Sequence, residues 1–174
     1  AQEPTDETIN PDPKTFMVNG SSVTSWKFRQ SNVSPGWKLW ADSGAVAKST
    51  SPALTVNASS HTILQVLLPG EVADPGSSTG KTAAPPGNWI AGLPYTVTVN
   101  AVDDYYNVVT GVADVVQMDI ENDAYGSPQT ITRSLQAGTT TFTFTLKIAT
   151  SAGVGFGARL TATNNTTLSV PVAN

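Results

Sequence analysis

Hydrophobic and polar residues alternate along much of the chain, which is the pattern of β-strands with one buried face. The clearest stretch is 95–102, in which Tyr95, Val97 and Val99 share one face and polar residues separate them. A second stretch, 139–148, places its large apolar residues on one side and threonines on the other. We expect both stretches to turn their apolar faces into a hydrophobic core.

Short apolar runs recur at intervals of roughly 8 to 12 residues with turn residues between them, which is typical of a β-sandwich. Further strands are predicted at 15–18, 23–30, 38–41, 53–58, 61–68, 89–91, 108–109, 115–120, 130–135, 159–163 and 168–172. The run 61–68 is almost continuously apolar, as in a strand buried on both faces. No window has the three-and-four spacing of an amphipathic helix. The sequence therefore predicts an all-β fold, an antiparallel β-sandwich.

Two connections carry specific expectations. The turn-forming residues 103–107 separate the strand 95–102 from 108–109, so the two runs are predicted to lie side by side. Residues 71–87 are rich in Gly, Pro and Ser and contain Gly76-Ser-Ser-Thr-Gly-Lys-Thr82. A phosphate-binding loop needs four residues between its glycines and a helix after them, and this segment has neither. We expect a solvated loop.

An internal repeat divides the chain. Residues 20–29 align with 138–147, 38–42 with 159–163, and 54–56 with 168–170. Residues 59–174 hold a complete set of strands, whereas 14–58 match only the latter half of that set, and 1–13 form an acidic, proline-rich extended segment.

Half a sandwich exposes the apolar face that a whole one buries. That face draws on Phe16, Val18, Val23, Trp26, Phe28, Leu39, Leu54 and Val56. Three arrangements would cover it: the segment packs on the following domain, strands from a second copy complete it, or the missing strands lie outside this sequence. The predicted interface consists of these eight residues.

Composition narrows the function classes. With a net charge of −4 and 13% charged residues, the chain has no basic stripe for phosphates, so nucleic acid is not an expected partner. It has no cysteine and no apolar run long enough for a membrane span. It begins with Ala1 rather than Met, which fits a secreted protein after signal-peptide removal and equally a chain trimmed at this point. An extracellular or cell-surface location is therefore expected.

Candidate chemistry is sparse. Strand alternation would put Asp119, Glu121 and Asp123 on one face, where the alternatives are a calcium site and a solvated surface leading into a turn. No other cofactor is implied. His61 is the single histidine and no nucleophile motif accompanies it, so no catalytic residue is assigned and an enzyme is not expected.

Aromatic side chains offer a second candidate site. Trp37 and Trp40 with Tyr105 and Tyr106 would form a stacking platform for a sugar ring. The alternative is ordinary packing in cores and interfaces, which is the commoner role of such residues.

Three segments, 64–71, 96–103 with 107–109, and 138–147, resemble the tandem immunoglobulin-like repeats of large bacterial surface and adhesin-type proteins. The resemblance implies an immunoglobulin-like sandwich in an extracellular setting, with an N-terminal half-sandwich as the departure from the pattern. Such repeats share no catalytic residues, and the fold hosts many functions.

Together these features predict a structural subunit that self-assembles by β-strand complementation into a surface filament or layer, as a homo-oligomer or homopolymer. The alternative is an adhesin or carbohydrate-binding module with a glycan ligand.

Overall fold

The computed structural model describes residues 28–31, 36–41, 49–82, 89–149, 159–164 and 169–171, with backbone alone for 40–41, 159–164 and 169–171. Every regular element in these ranges is a β-strand, and all the strand pairs are antiparallel. The all-β prediction is confirmed. No helix in this part of the chain is long and apolar enough to cross a membrane. The chain divides into two compact units, Ala1–Ala58 (unit 1) and Ser59–Asn174 (unit 2).

The described residues of unit 1 include two short strands, β1 (Trp40–Ala41) and β2 (Ser49–Thr50), which pair with each other. Beyond them, Trp37 and Leu54 form an isolated bridge through two backbone hydrogen bonds of 2.9 and 2.7 Å. The strand predicted at 38–41 is thus confirmed in its second half, and that at 53–58 shrinks to one bridge. β2 lies between the strands predicted at 38–41 and 53–58, where no strand was predicted. The predicted strand 15–18 lies outside the described residues, and the described end of 23–30 is irregular.

The other nine strands of the described residues belong to unit 2. They are β3 (Ile63–Leu67), β4 (Val72–Ala73), β5 (Lys81–Thr82), β6 (Pro94–Val102), β7 (Val115–Glu121), β8 (Thr130–Ser134), β9 (Thr139–Thr145), β10 (Arg159–Asn164) and β11 (Ser169–Pro171). A three-stranded sheet has the order β3-β6-β9, and a four-stranded sheet has the order β11-β10-β7-β8. β4 and β5 form a separate hairpin.

The two sheets form an immunoglobulin-like sandwich. Seven strands with these pairings match the constant-type immunoglobulin arrangement, except that the fourth strand of the seven, β8, pairs with β7 instead of joining β9. The predicted sandwich fold is therefore confirmed in unit 2.

The core lies between the sheets and comes from the predicted alternation. Val97 and Val99 of β6 and Phe142 of β9 are completely buried, and Phe144 is 2% exposed. Across from them, Val116 and Met118 of β7 close the same cluster. Burying each of these side chains contributes roughly 1.5–3 kcal/mol, so the core supplies the main stabilisation of unit 2.

The strand β3 is buried on both faces, as its apolar run predicted, because Leu64 through Leu67 are all buried. Its outer face lies under the β4–β5 hairpin: the Gln65 side chain donates a 2.7 Å hydrogen bond to the carbonyl of Gly80. The prediction of a plain loop at 71–87 is wrong in this respect. Lys81, the residue in the lysine position of the phosphate-loop-like segment, pairs with Glu71 at 2.7 Å.

Two predicted strands of unit 2 are not strands. Residues 89–91 are irregular and lead into a turn; the Trp89 ring stacks on Tyr95 at 4.3 Å, and the Ile90 N–H donates to the Tyr95 hydroxyl. Residues 108–109 make one bridge, Val108 to Val102, because the turn at 103–107 returns the chain for a single pair before the next turn begins. The two runs do lie side by side.

Candidate functional site

The two ends of unit 2 each contain a buried aspartate. We call the end where β6 finishes and β3 begins the near pole, and the end where β6 begins and β9 finishes the far pole. Asp103 lies at the near pole and Asp123 at the far pole, and each is only 2% exposed. A buried carboxylate is stable only when hydrogen bonds replace its lost hydration.

Backbone amides supply those bonds to Asp103. One carboxylate oxygen, Oδ1, accepts the N–H groups of Tyr105 and Asn107 at 2.9 and 3.0 Å. The other, Oδ2, accepts the N–H of Ser59 at 3.0 Å, 44 residues earlier in the chain. The Asn107 amide donates to both oxygens. Asp103 thus closes its own turn and also holds the first residue of unit 2.

The charged form of Asp103 is favoured despite its burial. Desolvation raises the pKa of this carboxyl, but the hydrogen bonds from the Ser59 and Asn107 backbones, the Asn107 side chain and the Tyr105 backbone together outweigh it. The pKa therefore lies below its ordinary value, and Asp103 is a carboxylate at neutral pH.

Two more carboxylates act on the same short stretch, residues 59–62, which we call the entry segment. The Thr62 hydroxyl donates a 2.6 Å hydrogen bond to Asp104, and the Thr62 N–H donates to the carbonyl of Val102 at 2.9 Å. His61 Nε2 lies 3.6 Å from a carboxylate oxygen of Asp114. The four residues before β3 are therefore attached to the near pole by three acidic side chains.

Asp123 repeats this arrangement at the far pole. Its Oδ1 accepts the N–H of Tyr125 at 3.1 Å, and its Oδ2 accepts the N–H groups of Lys147 and Ile148 at 2.6 and 3.1 Å. Desolvation raises the pKa of Asp123, but the hydrogen bonds from Lys147, Ile148 and Tyr125 outweigh it, so the pKa again lies below its ordinary value. Asp123 ties the end of β9 to the turn that follows β7.

Both aspartates belong to the same local motif, Asp-X-Tyr, at 103–105 and 123–125. In each, the carboxylate accepts the N–H two residues on, which is an Asx-turn. The sequence shows the turn, but the second oxygen serves a segment that only the folded chain brings near. The role of these residues as buried anchors was therefore missed.

The structure does not bring the three predicted calcium ligands onto one face. Asp119 and Glu121 lie on the solvent-facing side of β7, where Asp119 accepts a 2.7 Å bond from the Thr130 hydroxyl. Asn122 has a left-handed φ of 65°, which ends the strand and turns Asp123 inward. The predicted common face is therefore wrong. Among the described residues no group of three His, Cys, Asp or Glu side chains is placed to hold a metal ion, and the calcium site stays an untested prediction.

The predicted aromatic platform divides between the two units. In unit 2 the Tyr105 carbonyl accepts the Gly76 N–H at 2.7 Å, and a Cβ added at Gly80 would collide with the Tyr106 ring. In unit 1 the Trp37 ring lies 6.1 Å from that of Phe28 and its indole N–H donates to the Gln30 carbonyl. The side chain of Trp40 lies outside the described residues. The rings of Tyr106 and Trp37 thus pack within their own units, Tyr105 takes part through its backbone carbonyl, and sugar binding stays a prediction.

The structure describes only part of the predicted interface, which we call the assembly face. Phe16, Val18, Val23 and Trp26 lie outside the described residues. Phe28, Leu39 and Val56 are half-buried, and Leu54 is 37% exposed.

Comparison with known proteins does not assign this chain to a family. No protein-family model and no curated protein match the chain. A solved structure that matches is a glycosyl hydrolase family 2 member from Bacteroides cellulosilyticus, with 13% sequence identity and a TM-score of 0.43. The match covers 76% of this chain and 16% of that one, so this chain spans a small part of the length of its structural neighbour.

Proposed function

We propose that the protein is an extracellular structural subunit of the bacterial immunoglobulin-like surface type, and that unit 1 of one copy is completed by a β-strand of another. The observation that supports this most directly is the exposure of Leu54 beside a sheet of two-residue strands. Among the described residues of unit 1 this sheet has two strands of two residues each, and so small a sheet is marginal without neighbouring strands. A strand from a second copy supplies those neighbours and extends the sheet at its edge.

The test compares two matched lysine substitutions in the full chain. Leu54→Lys puts a charge on the proposed assembly face, and Val115→Lys puts one on unit 2 at a residue of nearly equal exposure, 37% against 38%. Light scattering over a concentration series and negative-stain electron microscopy measure assembly. We expect fibres or layers from the parent chain and from Val115→Lys, and at least tenfold higher protein concentration for assembly of Leu54→Lys.

A chain that stays monomeric at every concentration would rule out self-assembly. Equal loss in both lysine variants would show that general surface hydrophobicity, and not the unit 1 face, drives association.

The competing proposal, an adhesin or carbohydrate-binding module, rests on the half-buried Trp37. Glycan-array binding that Trp37→Ala removes, in a chain that remains monomeric, would favour it over assembly. A structural role also accounts for the two aspartates with lowered pKa, since their oxygens are engaged by backbone amides instead of facing a substrate.

A further inference from the structure

The chain enters unit 2 at one pole and runs out of it toward the other. The entry segment lies at the near pole, where Ser59 is bound to Asp103. β7 runs from the near pole to the far pole; β10 pairs antiparallel to β7 with Asn164 opposite Val116, so β10 ends at the near pole. β11 pairs antiparallel to β10 and therefore runs back toward the far pole.

Tension applied between the two ends of unit 2 would therefore act along the strands. β3 starts at the near pole and is paired with β6 over five residue pairs, so a pull from the Ser59 side loads those pairs together along the strand axis. Such a load cannot open the ladder one pair at a time. On the Ser59 side, the first contacts that such a pull loads are those that hold the entry segment in front of β3.

We propose that the entry segment is a force-bearing latch, in which Asp103, through the N–H of Ser59, keeps β3 seated on β6 when the chain is pulled. Three features support the assignment. The Ser59 bond is made to a carboxylate that is buried, and charge-assisted bonds of this kind are about twice as strong as neutral ones. Thr62 and His61 add contacts to Asp104 and Asp114 in the same four residues. The latch lies outside the β3–β6 ladder, so it acts in addition to the ladder.

This role does not depend on self-assembly, because it concerns tension within one chain. It also explains why two carboxylates, Asp103 and Asp104, stand side by side, since turn formation alone does not require the pair. It further predicts that the effect depends on where force is applied: the latch resists unfolding when force passes through Ser59 and not when force bypasses it.

The experiment is single-molecule force spectroscopy on the full chain. Because the chain has no cysteine, handles can be attached at chosen cysteine pairs. The pair Ala1→Cys and Asn174→Cys sends force through Ser59. The pair Gly111→Cys and Asn174→Cys bypasses it; residue 111 is exposed, and a Cβ there meets no atom within 4 Å. The readout is the lifetime of folded unit 2 at constant force, which reports the unfolding rate.

The informative substitution is Ser59→Pro, which removes the N–H that Asp103 accepts. Its matched control is Ser59→Ala, which keeps that N–H and removes only the hydroxyl contact at 3.5 Å. We expect Ser59→Pro to shorten the lifetime about tenfold or more when force passes through Ser59 and less than about twofold when it bypasses it. Ser59→Ala should leave both lifetimes within about twofold of the parent.

Asp103→Asn provides a second variant in case proline distorts the entry segment. It should shorten the lifetime more in the first geometry than in the second. Its free energy of unfolding, measured in urea, gives the general destabilisation against which both lifetimes are compared. Equal lifetimes of Ser59→Pro and the parent in the first geometry would overturn the proposal. Equal shortening in both geometries would overturn it as well, since that would indicate general destabilisation.

Discussion

At the scale of single residues, two carboxylates are buried in the part of the chain that the structure describes, and each is held by amide N–H groups from two directions. Asp103 joins its own turn to Ser59, and Asp123 joins its own turn to residues 147–148. Asp103 extends the pairing of β3 with β6 beyond the end of their ladder, and Asp123 connects segments that follow strands of different sheets. The cost is sensitivity to acid, since a protonated carboxyl accepts hydrogen bonds poorly.

The first prediction concerns that sensitivity. Both pKa values are lowered in the folded state, so both groups stabilise the fold fully above their unfolded pKa of about 4 and lose that contribution as pH falls through the lower folded value. The free energy of unfolding, measured in urea, should be flat from pH 7 to about 5 and decline steeply below about 4. Asp123→Asn should lower it by about 1.5–3 kcal/mol at pH 7 and make the acid decline shallower.

Asp119→Asn is the control, because the Asp119 carboxylate bonds to exposed side chains among the described residues, those of Thr130 and Gln117. We expect it to change the free energy of unfolding by less than about 1 kcal/mol. An unchanged acid profile in Asp123→Asn would contradict the assigned role.

At the scale of elements, hydrophobic patterning locates the strands of unit 2 that face the core and fails for those that do not. β6 and β9 alternate apolar and polar residues, and their apolar faces are buried as predicted. β4 and β5 have two residues each, which is too short for any periodicity, so a loop was predicted there. Residues 89–91 look strand-like because Trp89 is apolar, but its ring packs on Tyr95 from a turn.

The candidate site was likewise predictable in part: its local turns can be read from the sequence, but its long-range contacts cannot. The Asx-turns could be recognised from Asp103 and Asp123, since a carboxylate bonding two residues ahead is a local property. Their partners Ser59 and Lys147 lie 44 and 24 residues away along the chain. No local pattern encodes contacts at that separation, and alternation alone wrongly aligned Asp123 with Asp119.

The second prediction concerns the turn that leads into β9. Gly138 has a φ of 77°, and an added Cβ would overlap the Val109 carbonyl oxygen. Gly92 has a similar φ of 88° but open space around it. Gly92→Ala should therefore cost only the left-handed strain of about 1–2 kcal/mol, whereas Gly138→Ala adds a steric term of about 1–3 kcal/mol. Chemical denaturation of both variants measures the difference, and equal losses would show that the turn relaxes freely.

The third prediction concerns a buried chain of amides on the outer face of the three-stranded sheet. The Thr139 hydroxyl donates to Asn100, Asn100 donates to Gln65, and Gln65 donates to the Gly80 carbonyl. Gln65→Leu leaves the Asn100 amide nitrogen without its partner, and Asn100→Leu leaves the Gln65 amide oxygen without its partner, each at a cost of about 1–3 kcal/mol. The double variant should cost less than the sum of the two, with a coupling of about 0.5–3 kcal/mol in a double-mutant cycle.

An exposed pair on the same sheet provides the control. The Thr96 and Thr143 hydroxyls lie 2.8 Å apart across β6 and β9 in solvent. The cycle of Thr96→Val and Thr143→Val should show a coupling below about 0.5 kcal/mol, because water replaces the lost partner. Similar coupling in both cycles would mean that burial does not set the strength of the amide chain.

At the scale of the whole molecule, the two units differ in how much apolar surface their described residues bury. The buried core residues of unit 2 come from both its sheets, whereas the described apolar residues of unit 1 are half-buried or exposed. Amides open with free energies that follow such burial. The molecule should therefore behave as one stable unit joined to one of lower stability.

The fourth prediction makes that difference measurable. Hydrogen exchange followed by mass spectrometry should show the slowest exchange in β6, which is bonded to β3 on one side and β9 on the other. Peptides that cover β1 and β2 should exchange at least about tenfold faster in the monomer. If assembly completes unit 1, those same peptides should slow in the assembled form. Uniform protection across both units at low concentration would contradict the unequal stability.

The free edge of β9 is nearly closed at both its ends. Thr145 exchanges two backbone hydrogen bonds with Ser127, and Thr139 exchanges two with Gln136. Because bonding directions alternate along a strand, only Thr141 and Thr143 between them direct backbone groups outward from this edge. Amyloid stacking uses segments of about six residues. In the folded state this edge, as the described residues define it, therefore offers another chain only a short template for edge-to-edge pairing.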